Sequence, residues 1–115
     1  MSKNHHSIDF VEFPGKDLSA LKAFYGKAFG WAFADYGPDY IAPTNAGLDG
    51  GFQGDPAEAP KKPLVILYSL DLEHSLETIE ANGGTITHPI FQFPGGRRFH
   101  FADPSGNELA VWSDQ

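Results

Sequence analysis

The feature that most constrains this chain is that it repeats itself. Asp17-Leu18 recurs as Asp71-Leu72, and Gly30 recurs as Gly84, both at a spacing of 54 residues. An aspartate ahead of an apolar helical pattern accepts hydrogen bonds from first-turn N–H groups. A glycine just past the pattern adopts the left-handed conformation that closes a helix end. The pairs therefore predict two helices in the same frame, over residues 18 to about 29 and 72 to about 82. A strand-like run precedes each helix and about three follow it, which makes two βαβββ copies. One copy leaves a sheet face that its single helix does not close. Two copies pairing edge to edge predict an α+β fold: a curved, mixed eight-stranded sheet around a cleft, with the helices outside. Residues 1–115 then read as a single domain, with module one over about 7–54, a linker over about 55–63 and module two over about 64–114.

The runs between these markers fill in the frame. Residues 7–14 suit a strand closed by Pro14-Gly15, and Leu18, Leu21, Tyr25, Ala28 and Phe29 recur at helical spacing. Residues 31–36, 40–44 and 48–53 are shorter strand candidates, and Gly50-Gly51 mark a bulge or a close backbone approach in the last of them. Residues 55–63 are polar and proline-rich, as a linker is. Leu64-Val-Ile-Leu-Tyr68 is apolar throughout and predicts a strand buried on both faces. Two short strands follow, 85–87 and 90–93, separated by His88-Pro89. Finally, two aromatic-rich strands are joined by Asp103-Pro104-Ser105-Gly106-Asn107, a turn built from residues that bond their own backbone, preset φ or allow φ > 0.

Composition excludes several function classes. The net charge is −7 with only eight lysines and arginines, so nucleic acid is not an expected partner. No apolar run approaches the roughly 18–20 residues that span a bilayer, so no membrane partner is expected. The first residues lack the apolar core of a signal peptide, and a cytoplasmic location is the expectation. There is no cysteine, so neither a disulfide framework nor a thiolate site exists.

Several residues carry the chain's resemblance to a known family. They are Phe13-Pro14-Gly15-Lys16-Asp17-Leu18, then Phe24-Tyr25 with Phe29-Gly30-Trp31, then Gly83-Gly84, and above all Phe101-Ala102-Asp103-Pro104-Ser105-Gly106-Asn107. In these the chain resembles the vicinal oxygen chelate superfamily, the glyoxalase / bleomycin-resistance / dioxygenase group. That resemblance implies the fold described above. It leaves the function open among lyases, isomerases, epimerases, dioxygenases, thiol transferases and proteins that sequester a drug.

The resemblance also implies where metal ligands belong in metal-using members: one on the first strand of each module and a carboxylate on the last strand. Counted without gaps, the last-strand position is Ala110, and the first-strand positions are Phe10 (Ile8 with an insertion at Pro14-Gly15) and Leu64. None has a donor atom. The expectation is therefore a protein without the usual metal triad and with no cofactor. It would bind an aromatic or cationic small molecule in an aromatic, acidic cleft lined by Phe10, Glu12, Phe52, Phe91, His100, Glu108 and Trp112. The alternative is a glyoxalase-like metal-dependent lyase or isomerase, with a divalent metal such as Zn or Ni held by His6, His100 and Glu108. Whether the chain is an enzyme, and with which catalytic residues, stays open. Of the other histidines, His5 and His6 read as a solvated terminus, His74 as solvent-facing and His88 as locally structural. Arg97-Arg98 read as a surface pair. Small members of the family pair modules across chains, so a homodimer is expected, with residues 48–53 and 85–93 as open sheet edges.

Overall fold

The computed structural model describes residues 4–115. Its elements follow the expected order: β1 (Ile8–Pro14), α1 (Leu18–Phe29), β2 (Phe33–Asp35), β3 (Tyr40–Pro43), β4 (Gly50–Gln53), β5 (Leu64–Tyr68), α2 (Leu72–Ala81), β6 (Thr85–Phe93), β7 (Gly96–Ala102) and β8 (Glu108–Ser113). The fold is α+β, with a mixed sheet that does not close and strand order β2-β3-β4-β1-β5-β8-β7-β6. The chain divides into two compact units. One is Phe10–Leu64; the other takes the residues up to Asp9 together with Val65–Gln115.

Both helices start and stop as their capping residues dictate. Asp17 accepts from the Ala20 N–H at 3.1 Å and Asp71 from the His74 N–H at 3.1 Å. Gly30 closes α1 at φ 73°, whereas α2 ends on Asn82 and the left-handed glycine beyond it is Gly83, at φ 96°, not the expected Gly84. The duplication is borne out in the pairing. β1 runs parallel to β4 while β3 is antiparallel to both β4 and β2. β5 runs parallel to β8 while β7 is antiparallel to both β8 and β6.

In the first unit, the core is an aromatic stack under α1. Phe52 is 2% exposed, and its ring packs on Phe13 at 4.9 Å, Tyr25 at 5.6 Å and Phe33 at 6.2 Å. The expected close approach at Gly50-Gly51 is real. A Cβ on Gly50 would stand 2.7 Å from the Val11 carbonyl oxygen, and one on Gly51 would collide with the Tyr40 ring. Residues 48–53 were expected at an open edge, but β4 lies between β3 and β1, so its backbone groups are paired on both sides.

In the second unit, α2 covers one face of the β5-β8-β7-β6 sheet. Leu72, Phe99, Phe101 and Val111 form the buried cluster, with Leu76, Ile79, Ile86, Ile90 and Leu109 packed around it. His5 and His6 are exposed, as expected, but the N-terminal residues are also tied to this unit by hydrogen bonds. The His6 N–H donates to the Tyr68 carbonyl at 2.6 Å, the Tyr68 N–H to the Ser7 carbonyl at 3.0 Å, and the Leu70 N–H to His5 Nδ1 at 2.9 Å. His6 Nε2 also hydrogen-bonds Ser75 Oγ at 2.8 Å.

Candidate functional site

Strand periodicity decides which side chains meet. On β8, Leu109 and Val111 pack toward α2, so Glu108, Ala110 and Trp112 face the other way. On β7, Phe99 and Phe101 belong to the core, and Arg98 and His100 share the opposite face. The register places His100 opposite Ala110 and Ala102 opposite Glu108, so His100 and Glu108 are diagonal neighbours.

The third strand contributes through irregularity. Residues 85–87 and 90–93 were expected as separate strands, but β6 runs unbroken through His88-Pro89. Proline's missing N–H is tolerated because β6 pairs only with β7 among the described residues. Ile86 pairs Phe101, His88 pairs His100 and Phe91 pairs Arg98, so the register shifts twice. Such bulges re-aim side chains. Here Thr87 and His88, adjacent in sequence, both reach Glu108. Thr87 Oγ1 donates to Glu108 Oε2 at 2.8 Å, and His88 Nε2 lies 4.0 Å from the same oxygen.

His88, His100 and Glu108 thus come together, each with one nitrogen or oxygen within 4.8 Å of the others. The His88 and His100 rings meet edge to face at 4.8 Å, and His100 Nδ1 stands 3.7 Å from Glu108 Oε2. The His100 side chain is only 12% exposed, against 61% for His88 and 47% for Glu108. Its Nε2 is buried without a hydrogen-bond partner among the described residues. Burial lowers the His100 pKa to about 4, helped by the positive charge of Arg98 and by His88, with Glu108 opposing. The imidazole is therefore neutral near pH 7, with a lone pair to offer.

Aromatic surface borders this cluster. Phe91 lies 5.8 Å from the His100 ring, and Phe93 lies 6.1 Å from Trp112. The Arg98 guanidinium sits over both Phe91 and Phe93, at 5.3 and 5.5 Å. Trp112 donates its indole N–H to Asp9 Oδ2 at 2.9 Å. Arg97 points away from this face and clamps Glu73 of α2 with bonds of 2.5 and 3.1 Å, which holds the Glu73 carboxyl below its ordinary pKa.

The other residues singled out from sequence are described within their own units. Phe10 and Glu12 are on β1; Glu12 is 6% exposed and accepts from the Tyr40 hydroxyl at 3.2 Å. Phe52 is occupied by the aromatic stack of its own unit. His6, named as an alternative ligand beside His100 and Glu108, is engaged with Ser75, and His88 stands with those two residues instead.

Comparison with known proteins places the chain. Residues 7–111 match the Glyoxalase/Bleomycin resistance protein/Dioxygenase superfamily. The chain belongs to that superfamily. No curated protein matches it. Solved structures share the superfamily member's fold at low identity. One is described as an NAD-dependent benzaldehyde dehydrogenase from Legionella pneumophila (TM-score 0.73, 15% identity, 90% of this chain and 96% of that one). Another is a methylmalonyl-CoA epimerase from Mycobacterium tuberculosis (0.69, 11%, 100% and 93%). A third is the Mn(II)-bound glyoxalase from Novosphingobium aromaticivorans (0.65, 20%, 99% and 40%). At these identities the likeness concerns the fold alone. Where the resemblance calls for metal ligands, this member carries Phe10, Leu64 and Ala110. Leu64 and Ala110 are 3% and 0% exposed, and none of the three side chains offers an oxygen or nitrogen. Among the described residues, no helix is long and apolar enough to cross a membrane.

Proposed function

We propose that this superfamily member is a cytoplasmic small-molecule-binding protein that works without the family's usual metal triad and takes an aromatic or cationic compound. The observation that carries the reading is the setting of Glu108. Its carboxylate is half exposed, is held by Thr87 and stands 3.7 Å from His100, whose ring in turn lies 5.8 Å from Phe91. A carboxylate at the rim of aromatic walls suits a flat compound with a positive centre, with ring contact supplying affinity and the charge supplying orientation. The net charge of −7 adds long-range attraction for a cation.

Thermal-shift screening of chelator-treated protein against cationic and anionic aromatic compounds tests this. Cationic aromatics are expected to raise Tm, with a gain of about 2.7 kcal/mol at a concentration 100 times Kd, and Glu108→Gln is expected to abolish the gain. A library without hits, or one in which only anions bind, overturns the reading.

We further propose that the chain works as a homodimer. The nine-residue edge strand β6 and the exposed Tyr36 and Leu48 are the surfaces that association would cover. Sedimentation at micromolar concentration is expected to give twice the 12.5 kDa chain mass, and the mass of one chain refutes the proposal.

A further inference from the structure

We propose that His88, His100 and Glu108 form a binding site for a first-row divalent transition metal, on the last three strands and away from the positions the family resemblance implies. Spacing carries the inference. The gaps of 3.7 and 4.0 Å from Glu108 Oε2 to His100 and His88 are too long for hydrogen bonds. Ligands at about 2.0–2.2 Å from a tetrahedral ion stand about 3.4 Å apart, whereas these three donor atoms lie within 4.8 Å of one another, so rotations of the side chains that draw them together by up to about 1.4 Å seat an ion between all three. His88 and Glu108 are exposed enough to make that adjustment.

The donor set selects the ion. Two imidazoles and one carboxylate suit Zn, Ni, Co or Fe, whereas Mg and Ca prefer oxygen alone. Three protein ligands leave a coordination position open, the arrangement of catalytic rather than closed structural sites. The supporting contacts are those a metal site uses. Thr87 Oγ1 fixes the carboxylate at 2.8 Å, and the ring of His88 packs edge-on against His100. His100 turns Nδ1 toward Glu108, and its buried Nε2 has no hydrogen-bond partner among the described residues. The paired bulges of β6 are what bring His88 within reach. The inference uses the same Glu108 as the small-molecule reading but needs no organic ligand, and an ion here would present its open position to whatever the Phe91 side of the face binds.

The test is titration of chelator-treated protein with ZnCl2, NiCl2 or CoCl2 alone, followed by calorimetry and, for Co²⁺, by its visible ligand-field absorption. One ion per chain is expected. His88→Ala and Glu108→Gln alter exposed side chains and leave the core intact. Each is expected to weaken binding by at least the roughly 10- to 100-fold that loss of an outer-shell partner costs and to change the Co²⁺ spectrum. A His5→Ala/His74→Ala double variant controls for the other histidines and is expected to bind as the wild type does. Absence of stoichiometric binding, unchanged affinity in His88→Ala, or loss of binding in the double variant overturns the site. Because the metal is titrated without organic compounds, and the compounds are screened on metal-free protein, failure of one reading leaves the other standing.

Discussion

Replacing Phe99 with alanine is expected to cost about 3–5 kcal/mol of folding stability, as removal of a fully buried aromatic ring does. Phe99 is 0% exposed, and its neighbours Leu72, Phe101 and Val111 come from α2, β7 and β8. No one of these elements can move into the vacated volume without breaking strand pairing, since Phe99 is paired directly with Val111. A domain of this size is stable by only about 5–15 kcal/mol, so the variant should sit near the edge of folding at 37 °C. Urea denaturation should show a lower midpoint with an unchanged slope. Phe24→Ala is the matched comparison: Phe24 is 59% exposed on α1, and its loss is expected to change stability by about 0.5 kcal/mol or less. A cost below about 1 kcal/mol for Phe99→Ala would show that the core of this unit is not where the structure puts it.

The contrast between these two phenylalanines shows what a sequence of this kind discloses. Capping chemistry is local, so Asp17, Asp71 and Gly30 announce both helices and, through their common spacing, the duplication. The hairpin turn is local as well: Asp103 accepts from the N–H groups of Ser105 and Asn107 and from the Asn107 side chain. Those bonds hold its carboxyl below its ordinary pKa.

The candidate site is not local, and sequence reasoning recovered it only in part. His100 and Glu108 were legible because one hairpin carries both and strand alternation puts them on one face. His88 was not, because His88-Pro89 reads as a break, and a sequence does not reveal that an edge strand tolerates proline and absorbs two extra residues as bulges. The same blindness to register made residues 48–53 read as an edge. The long-range bonds that tie His5 and His6 to β5 and α2 leave no mark on a hydrophobic pattern. A signal for His88 existed in hindsight: a histidine beside a proline, in a strand partner to another histidine, is a place to look for a bulge.

In metal-free protein held in chelator, stability is expected to fall as pH drops from about 6.5 to 4, and His100 is the main cause. Its folded pKa of about 4 lies below the ordinary 6.5. Between those values the unfolded chain binds the proton and the folded chain resists it, so the unfolded state is favoured progressively as the solution acidifies. The contribution is fully present above 6.5 and gone below about 4, with a size on the order of 3 kcal/mol. The groups that set it surround the ring on every strand: burial first, then Arg98 on β7 and His88 on β6, with Glu108 on β8 working the other way.

His6 is shifted in the same direction by burial, His5 and His74, so wild type alone does not isolate the effect. Glu73 and Asp103 are separable, because their lowered carboxyl pKa values place their losses below about 4.5 and 3.8. The decisive comparison is His100→Gln, which keeps a polar side chain of similar reach and removes the titration. Its stability should be flatter between pH 4.5 and 6.5 than that of the wild type, while His6→Gln should retain most of the wild-type slope. NMR titration of the imidazole carbons reads the same quantity directly. A His100 resonance that titrates near 6.5, or a His100→Gln variant with an undiminished slope, would mean that the ring is hydrated and the face is open to water.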